Sequence, residues 1–200
     1  MFETLKNAWK IPDLRKRMIF TLLMFLVYRL GAVIPVPGID RSVIQQMFSG
    51  SAGGLLDFFD MMSGGAFKDF TIFALNIYPY ITSSIILQLL TIAIPKLEEV
   101  FKREDGKKKM AQWTRYVTII LALIQATAYS VGFFNRAIID RSFLSILSVI
   151  IVLTAGTAFL MWLGELITEK GIGNGISLII MVGIISRYPS DFGTMIYQVQ

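Results

Sequence analysis

The chain predicts an all-α polytopic membrane protein: five transmembrane helices, with one short helical segment too brief to cross. Three observations predict this. Of 200 residues, 54% are apolar and only 16% charged, with mean hydropathy +0.63, whereas a soluble domain carries roughly 25% charged residues. Four stretches hold no charge at all: Thr71–Ile94, Tyr116–Phe134, Ser142–Gly164 and Gly171–Ser186. The nineteen Lys and Arg also fall unevenly between alternate connections, as the positive-inside rule expects of a multi-pass chain.

Residues 1–17 form a basic, weakly amphipathic lead-in expected at the cytoplasmic surface. Residues 18–35 are apolar except for Arg29. They resemble the apolar region of a signal peptide, but PVPG follows and no small-x-small cleavage site does, so a retained first span is expected. Residues 36–70 make a long connection holding an apolar island, Leu55–Met62, with Asp57 and Asp60 inside it and Gly53-Gly54 and Gly64-Gly65 at its borders. Eight helical residues reach about 12 Å against a hydrocarbon core of about 30 Å. The island cannot span.

The second span is expected over 71–94, stopped by Pro95 and kinked by Pro79. A basic loop over 96–115 follows, then spans near 116–134, 142–164 and 172–187, the last one short. Residues 18–190 thus form one five-helix unit, and 191–200 an external tail. With the N-terminus inside, the inner segments hold thirteen Lys/Arg and the outer ones five. That count places the N-terminus and the 96–115 loop in the cytoplasm.

Catalytic chemistry has little to stand on. The chain contains no Cys and no His, which removes disulfides, Cys/His zinc sites, thiol nucleophiles and Ser-His-Asp triads. No cofactor or metal is expected, and no enzyme. The GIGNG run (Gly171–Gly175) lacks the spacing of a dinucleotide loop and follows a helix rather than a strand. A tight helix–helix connection is the plainer reading. Glu165, Glu169 and Lys170 read as the solvated end of the fourth span.

Three features leave two readings each. Arg29 either snorkels to the outer interface or meets an interior partner. Helical residues lie about 100° apart, so Ile77, Ile81, Ser84, Gln88 and Thr91 share one stripe of the second span. That stripe serves either hydrogen bonds between helices or a water-filled funnel ending in a dry constriction. The island is either a re-entrant segment or a surface amphipathic helix.

Five phrases carry a family resemblance: IPVPGID (Ile34–Asp40), DMMSGGA (Asp60–Ala66), NIYPYITSSIILQLL (Asn76–Leu90), FKREDGKKK (Phe101–Lys109) and FLMWLGELITEKGIGNGIS (Phe159–Ser177). In these the chain resembles the SecY family, channel subunits of the general protein translocase. The resemblance implies helices one to five of a ten-helix, inverted-repeat channel whose second half lies outside this sequence. It implies a pore ring of Ile77, Ile81, Ile176 and Ile180. It also implies a plug at about 55–66, comprising Leu55, Leu56, Phe58, Phe59, Met61 and Met62 with Gly64 and Gly65 as its hinge. Ser84, Gln88 and Thr91 would line the funnel beside a lateral gate of which helices two and three form one wall. Lys102, Arg103, Lys107, Lys108 and Lys109 would meet a cytoplasmic partner, the SecA motor or the ribosome. Other implied partners are SecE, SecG-like subunits, signal peptides, preproteins and membrane lipids. The implied function is passive conduction of unfolded preproteins across the plasma membrane, with release of apolar segments into lipid. The other class compatible with the span pattern is half of an inverted-repeat secondary transporter, against which stands the lack of any carboxylate in the four uncharged stretches.

Overall fold

The computed structural model describes residues 11–49, 60–102, 105–140 and 142–186. Among these the regular elements are all helices, with two isolated bridges, Pro35 to Thr71 and Ile39 to Ile138. Helix α1 (Pro12–Gly31) starts on a proline, whose missing N–H is one the first turn leaves unbonded anyway. Gly38 then turns the chain at φ +79°. Asp40 caps α2 (Arg41–Ser49): its Oδ1 accepts the Ser42 amide at 2.9 Å and the Ser42 hydroxyl at 2.6 Å. The hydroxyl first, and the amide second, hold the Asp40 carboxyl below its ordinary pKa.

The uncharged stretch 71–94 is not one helix. Residues 64–77 run as successive turns, and α3 spans only Tyr78–Ala93. Pro79 therefore does not kink a helix; it sits in the first turn of α3, where no N–H is needed. Irregular backbone at membrane depth is tolerated where protein surrounds it, and Ala66, Phe67, Phe70, Phe73, Ala74, Leu75 and Ile77 are all buried. The turns are pinned by Val36 N–H to Phe70 O (3.1 Å) and Ile72 N–H to Ile34 O (3.0 Å). Asn76 contributes a positive φ of 50°.

Helix α3 ends at Ile94, extended as a residue before proline prefers, and α4 (Pro95–Lys102) leaves at 109° to it. The segment expected as a basic loop is thus largely helical. Its Lys and Glu are good helix formers, with Glu98 and Lys102 paired one turn apart at 2.6 Å. Helix α5 (Gly106–Ala128) runs on through a π-helical turn, Tyr129–Phe133. Helix α6 (Phe143–Lys170) extends beyond the expected Gly164, and α7 covers Gly175–Ser186.

Among the described residues, α5 with the π-helical turn that follows it (Lys108–Gly132) and α6 are long and apolar enough to cross a membrane; the bent α3–α4 pair makes a third crossing if counted as one. Helix α7, twelve residues, is roughly 18 Å long. Leu22, Leu26, Leu89, Ile92, Ile120 and Ile124 are exposed on the helix flanks, an arrangement suited to acyl chains rather than water. Helix α5 packs between α3 and α6, and α1 packs on α6.

Two apolar clusters fill the interior. One is aromatic: Phe48, Phe67, Phe70 and Phe134 with Ile44, Val149 and Leu153, the Phe67 ring standing edge-on to Phe48, Tyr129 and Phe134. The other joins Tyr28, Phe73, Ile77, Leu160, Leu163, Ile167 and Ile179. Here glycines set the spacing. A Cβ on Gly156 would collide with the Ile72 carbonyl, and one on Gly175 with the Gly164 carbonyl.

Candidate functional site

A cleft of about 540 Å³ opens beside the second cluster. Helix α3 contributes Tyr80, Ile81, Ser84 and Ile85, α5 contributes Ala111 and Arg115, and α6 contributes Glu165, Thr168 and Glu169. Asn174, Ile176 and Ser177 close the remaining side. The cleft therefore has an isoleucine part and a polar part.

Ile81 and Ile176 reach it, and Ile77 and Ile180 lie one turn from them, by local geometry. Ile77 caps α3 and is buried, 1% exposed. Ile81 stands one turn further, half-buried, its amide bonded to the Ile77 carbonyl at 3.1 Å. Ile176 begins α7 because Asn174 caps that helix, its Oδ1 accepting the Ile176 and Ser177 amides at 3.0 and 3.3 Å. Gly173, at φ +70°, makes the turn before it. The GIGNG run is thus a capped helix–helix connection. Ile77, Ile81 and Ile176 pack into one cluster, and Ile180 lies half-buried one turn along α7.

Of the polar stripe, Ser84 lines the cleft, while Gln88 and Thr91 follow it along α3. The Gln88 amide donates to Ser84 Oγ at 3.1 Å, and the Thr91 hydroxyl to the Leu87 carbonyl at 2.7 Å. Both bonds stay within α3, so among the described residues the stripe does not tie helices together. Sequence reasoning missed the charged rim. Arg115 Nε donates to Glu165 Oε1 at 2.8 Å across α5 and α6. The two residues are fifty positions apart, and only the antiparallel pairing of their helices joins them.

Arg29 does find a partner: its Nη1 donates to Ser186 Oγ at 2.8 Å while the residue stays exposed. Leu55, Leu56, Phe58 and Phe59 lie outside the described residues. Beyond them, 60–63 is a helical turn with Asp60 and Ser63 buried, Met61 exposed and Met62 half-buried. Asp60 Oδ1 accepts the Lys68 amide at 2.7 Å, and the Ser63 hydroxyl donates to the Asp60 carbonyl at 2.9 Å. Gly64 and Gly65 follow at φ +66° and +90°. Of the basic residues, Lys102, Lys108 and Lys109 are exposed; Arg103 and the Lys107 side chain are outside the description.

Aliphatic helix flanks around a cleft with a polar rim and an isoleucine floor define an all-helical membrane protein built about a cavity. A SecY family model matches residues 71–200. The chain belongs to the SecY family. It is 48% identical to the protein translocase subunit SecY of Bacillus subtilis (strain 168) over the whole chain and 47% of that protein. It is 50% identical to the subunit of the same name from Halalkalibacterium halodurans, over 95% of the chain and 45% of that protein. The chain thus spans just under half the length of these relatives. Among solved structures, Sec61 in the canine ribosome-channel complex of the endoplasmic reticulum superposes with TM-score 0.61 and 22% identity, over 84% of this chain and 36% of that one. A structure described as a protein conducting channel gives the same figures. A third, with TM-score 0.60 over 84% of this chain and 35% of that one, concerns a SecY plug domain that stabilises the closed state and maintains a membrane seal. At 22% identity these likenesses speak for the fold.

Proposed function

We propose that this chain forms the first five-helix half of a protein-conducting channel, moving unfolded preproteins across the membrane and releasing apolar segments sideways into lipid. One observation carries the reading: Ile81 and Ile176, from separate helices, face one cleft that Ser84, Arg115, Glu165, Thr168 and Asn174 line as well, with Ile77 packed in the same cluster. A throat that passes chains of any sequence needs walls without fixed hydrogen-bonding demands, and branched apolar side chains supply them while excluding ions when empty. Ile77, Ile81, Ile176 and Ile180 make this half of the ring; a second half outside this sequence completes it.

In this reading the spans lie near 18–35, 71–94, 116–134, 142–164 and 172–187. The N-terminus and residues 96–115 face the cytoplasm, and the segment at 55–66 is the plug. Ser84, Gln88 and Thr91 line the cytoplasmic funnel, and α3 with α5 forms one wall of the lateral gate. The channel is passive. Energy comes from SecA or a translating ribosome meeting Lys102, Arg103, Lys107, Lys108 and Lys109, with SecE and SecG-like subunits alongside in the plasma membrane. The test is a full-length channel carrying single cysteines at Ile81 or Ile176 and engaged with a stalled preprotein that itself bears a cysteine. Both positions should crosslink to the preprotein, and Ile92, exposed on the helix flank, should not. Crosslinking at Ile92 alone contradicts the assignment.

A further inference from the structure

The exposed Arg29 has a use beyond placing a charge at an interface. Its partner, the Ser186 hydroxyl, has a single proton, and that proton goes to the Gly183 carbonyl at 2.7 Å. The Gly183 carbonyl is also where Gly64 arrives. A Cβ on Gly64 would stand 2.6 Å from Gly183 O and 2.9 Å from Ser186 Oγ. A Cβ on Gly183 would stand 3.1 Å from both the Met62 carbonyl and the Tyr28 hydroxyl. Asn76 Nδ2 in turn donates to that Met62 carbonyl at 3.0 Å. So α7 and Asn76 meet residues 62–64 directly, and α1 braces α7 at that place through Tyr28 and Arg29. A side chain on Gly64 would displace backbone, and one on Gly183 would press on the Met62 carbonyl and the Tyr28 hydroxyl.

We propose that Gly183 is the seat on which the turn 62–65 docks, with Arg29 and Ser186 as positioning residues that hold the seat in shape. The proposal rests on the plug reading above and names what fixes the plug's resting place. Arg29 donates a charge-assisted bond to Ser186 Oγ, which leaves the serine proton aimed at Gly183 O. The Gly183 carbonyl is then bonded on its Ser186 side, and the helix surface beside Gly64 stays flat. A contact between two glycines involves few atoms and no interlocking side chains, so its dispersion energy is small. The turn can leave without unfolding either helix, which a seal that must open requires.

Resting ion conductance of full-length channels in lipid vesicles tests this, with three variants compared against a channel lacking 55–62. The deletion should raise conductance. Gly183→Val should raise it several-fold toward the deletion's level, and should add nothing in the deleted channel. Ser186→Ala, which inserts no bulk, should raise it less, and Arg29→Gln should match Ser186→Ala because both break one relay. The seat is overturned if Gly183→Val and Ser186→Ala both conduct like the parent. It is equally overturned if either raises conductance by the same increment in the deleted channel, since the leak would then lie elsewhere. A deletion without effect overturns the sealing role of the segment itself, and the seat with it.

Discussion

The two interior clusters solve the packing problem in opposite ways. The aromatic cluster is closed: Phe67 meets three rings edge-on, and Phe70 meets Phe134 edge-on as well, with ring centroids 4.8 Å apart. Its order comes from large side chains interlocking, so it can hold the irregular turns of 64–77 in place. The cluster beside the cleft is drawn together by missing side chains at Gly156, Gly164 and Gly175, which let backbones meet. Its margin, at Ile81 and Ile176, stays open to the cavity. One region is a fixed frame; the other presents a face to be completed.

That contrast can be broken most severely at the glycines. Gly175→Val drives a Cβ bearing two methyl groups at the Gly164 carbonyl and the Ile167 side chain. Helix α7 then cannot dock, and the protein should fail to accumulate in membrane fractions, as read by immunoblot. In the aromatic cluster, Phe67→Ala should cost roughly 3–5 kcal/mol, the usual range for truncating a buried phenylalanine. Unfolding in detergent measures it, and cleft labelling should survive at temperatures where the variant remains folded. At the rim, Glu165→Gln removes a pair whose side chains are 49% and 25% exposed. Solvent screening limits the loss to below about 1 kcal/mol, and added salt should narrow the gap between variant and parent.

The smallest effect belongs to Asp40. Its carboxyl is held below the ordinary value of 3.8 by Ser42. A depressed acid contributes its stabilisation at neutral pH and loses it as pH falls through the folded-state value. Exchange of the Ser42 amide should therefore quicken relative to neighbouring amides under strongly acidic conditions. Asp40→Ala should abolish that acid step.

How much of this was legible beforehand depends on whether a feature is local. The tight connection at Gly171–Gly175, the stop at Pro95 and the shared face of Ile77 and Ile81 follow from neighbouring residues. The turns at 71–77 were hard to see, because an uncharged apolar run reads as helix; only burial against Phe134, Leu153 and Gly156 from elsewhere in the chain makes turns tolerable there. The NIYP run was the available signal, since Asn accepts positive φ and Pro favours a helix start. The Arg115–Glu165 pair and the Arg29–Ser186 bond are products of helix pairing, so spacing along the chain could not disclose them. The basic segment misled for a different reason: charge identifies the side of the membrane but does not prevent helix formation.

The parent chain contains no cysteine, so single cysteines can be read without background. In the resting full-length channel, a membrane-impermeant thiol reagent added from the cytoplasmic side should modify Ser84→Cys quickly and leave Ile77→Cys untouched. Equal modification at both positions, or silence at Ser84→Cys, would contradict a wet cleft closed by isoleucines.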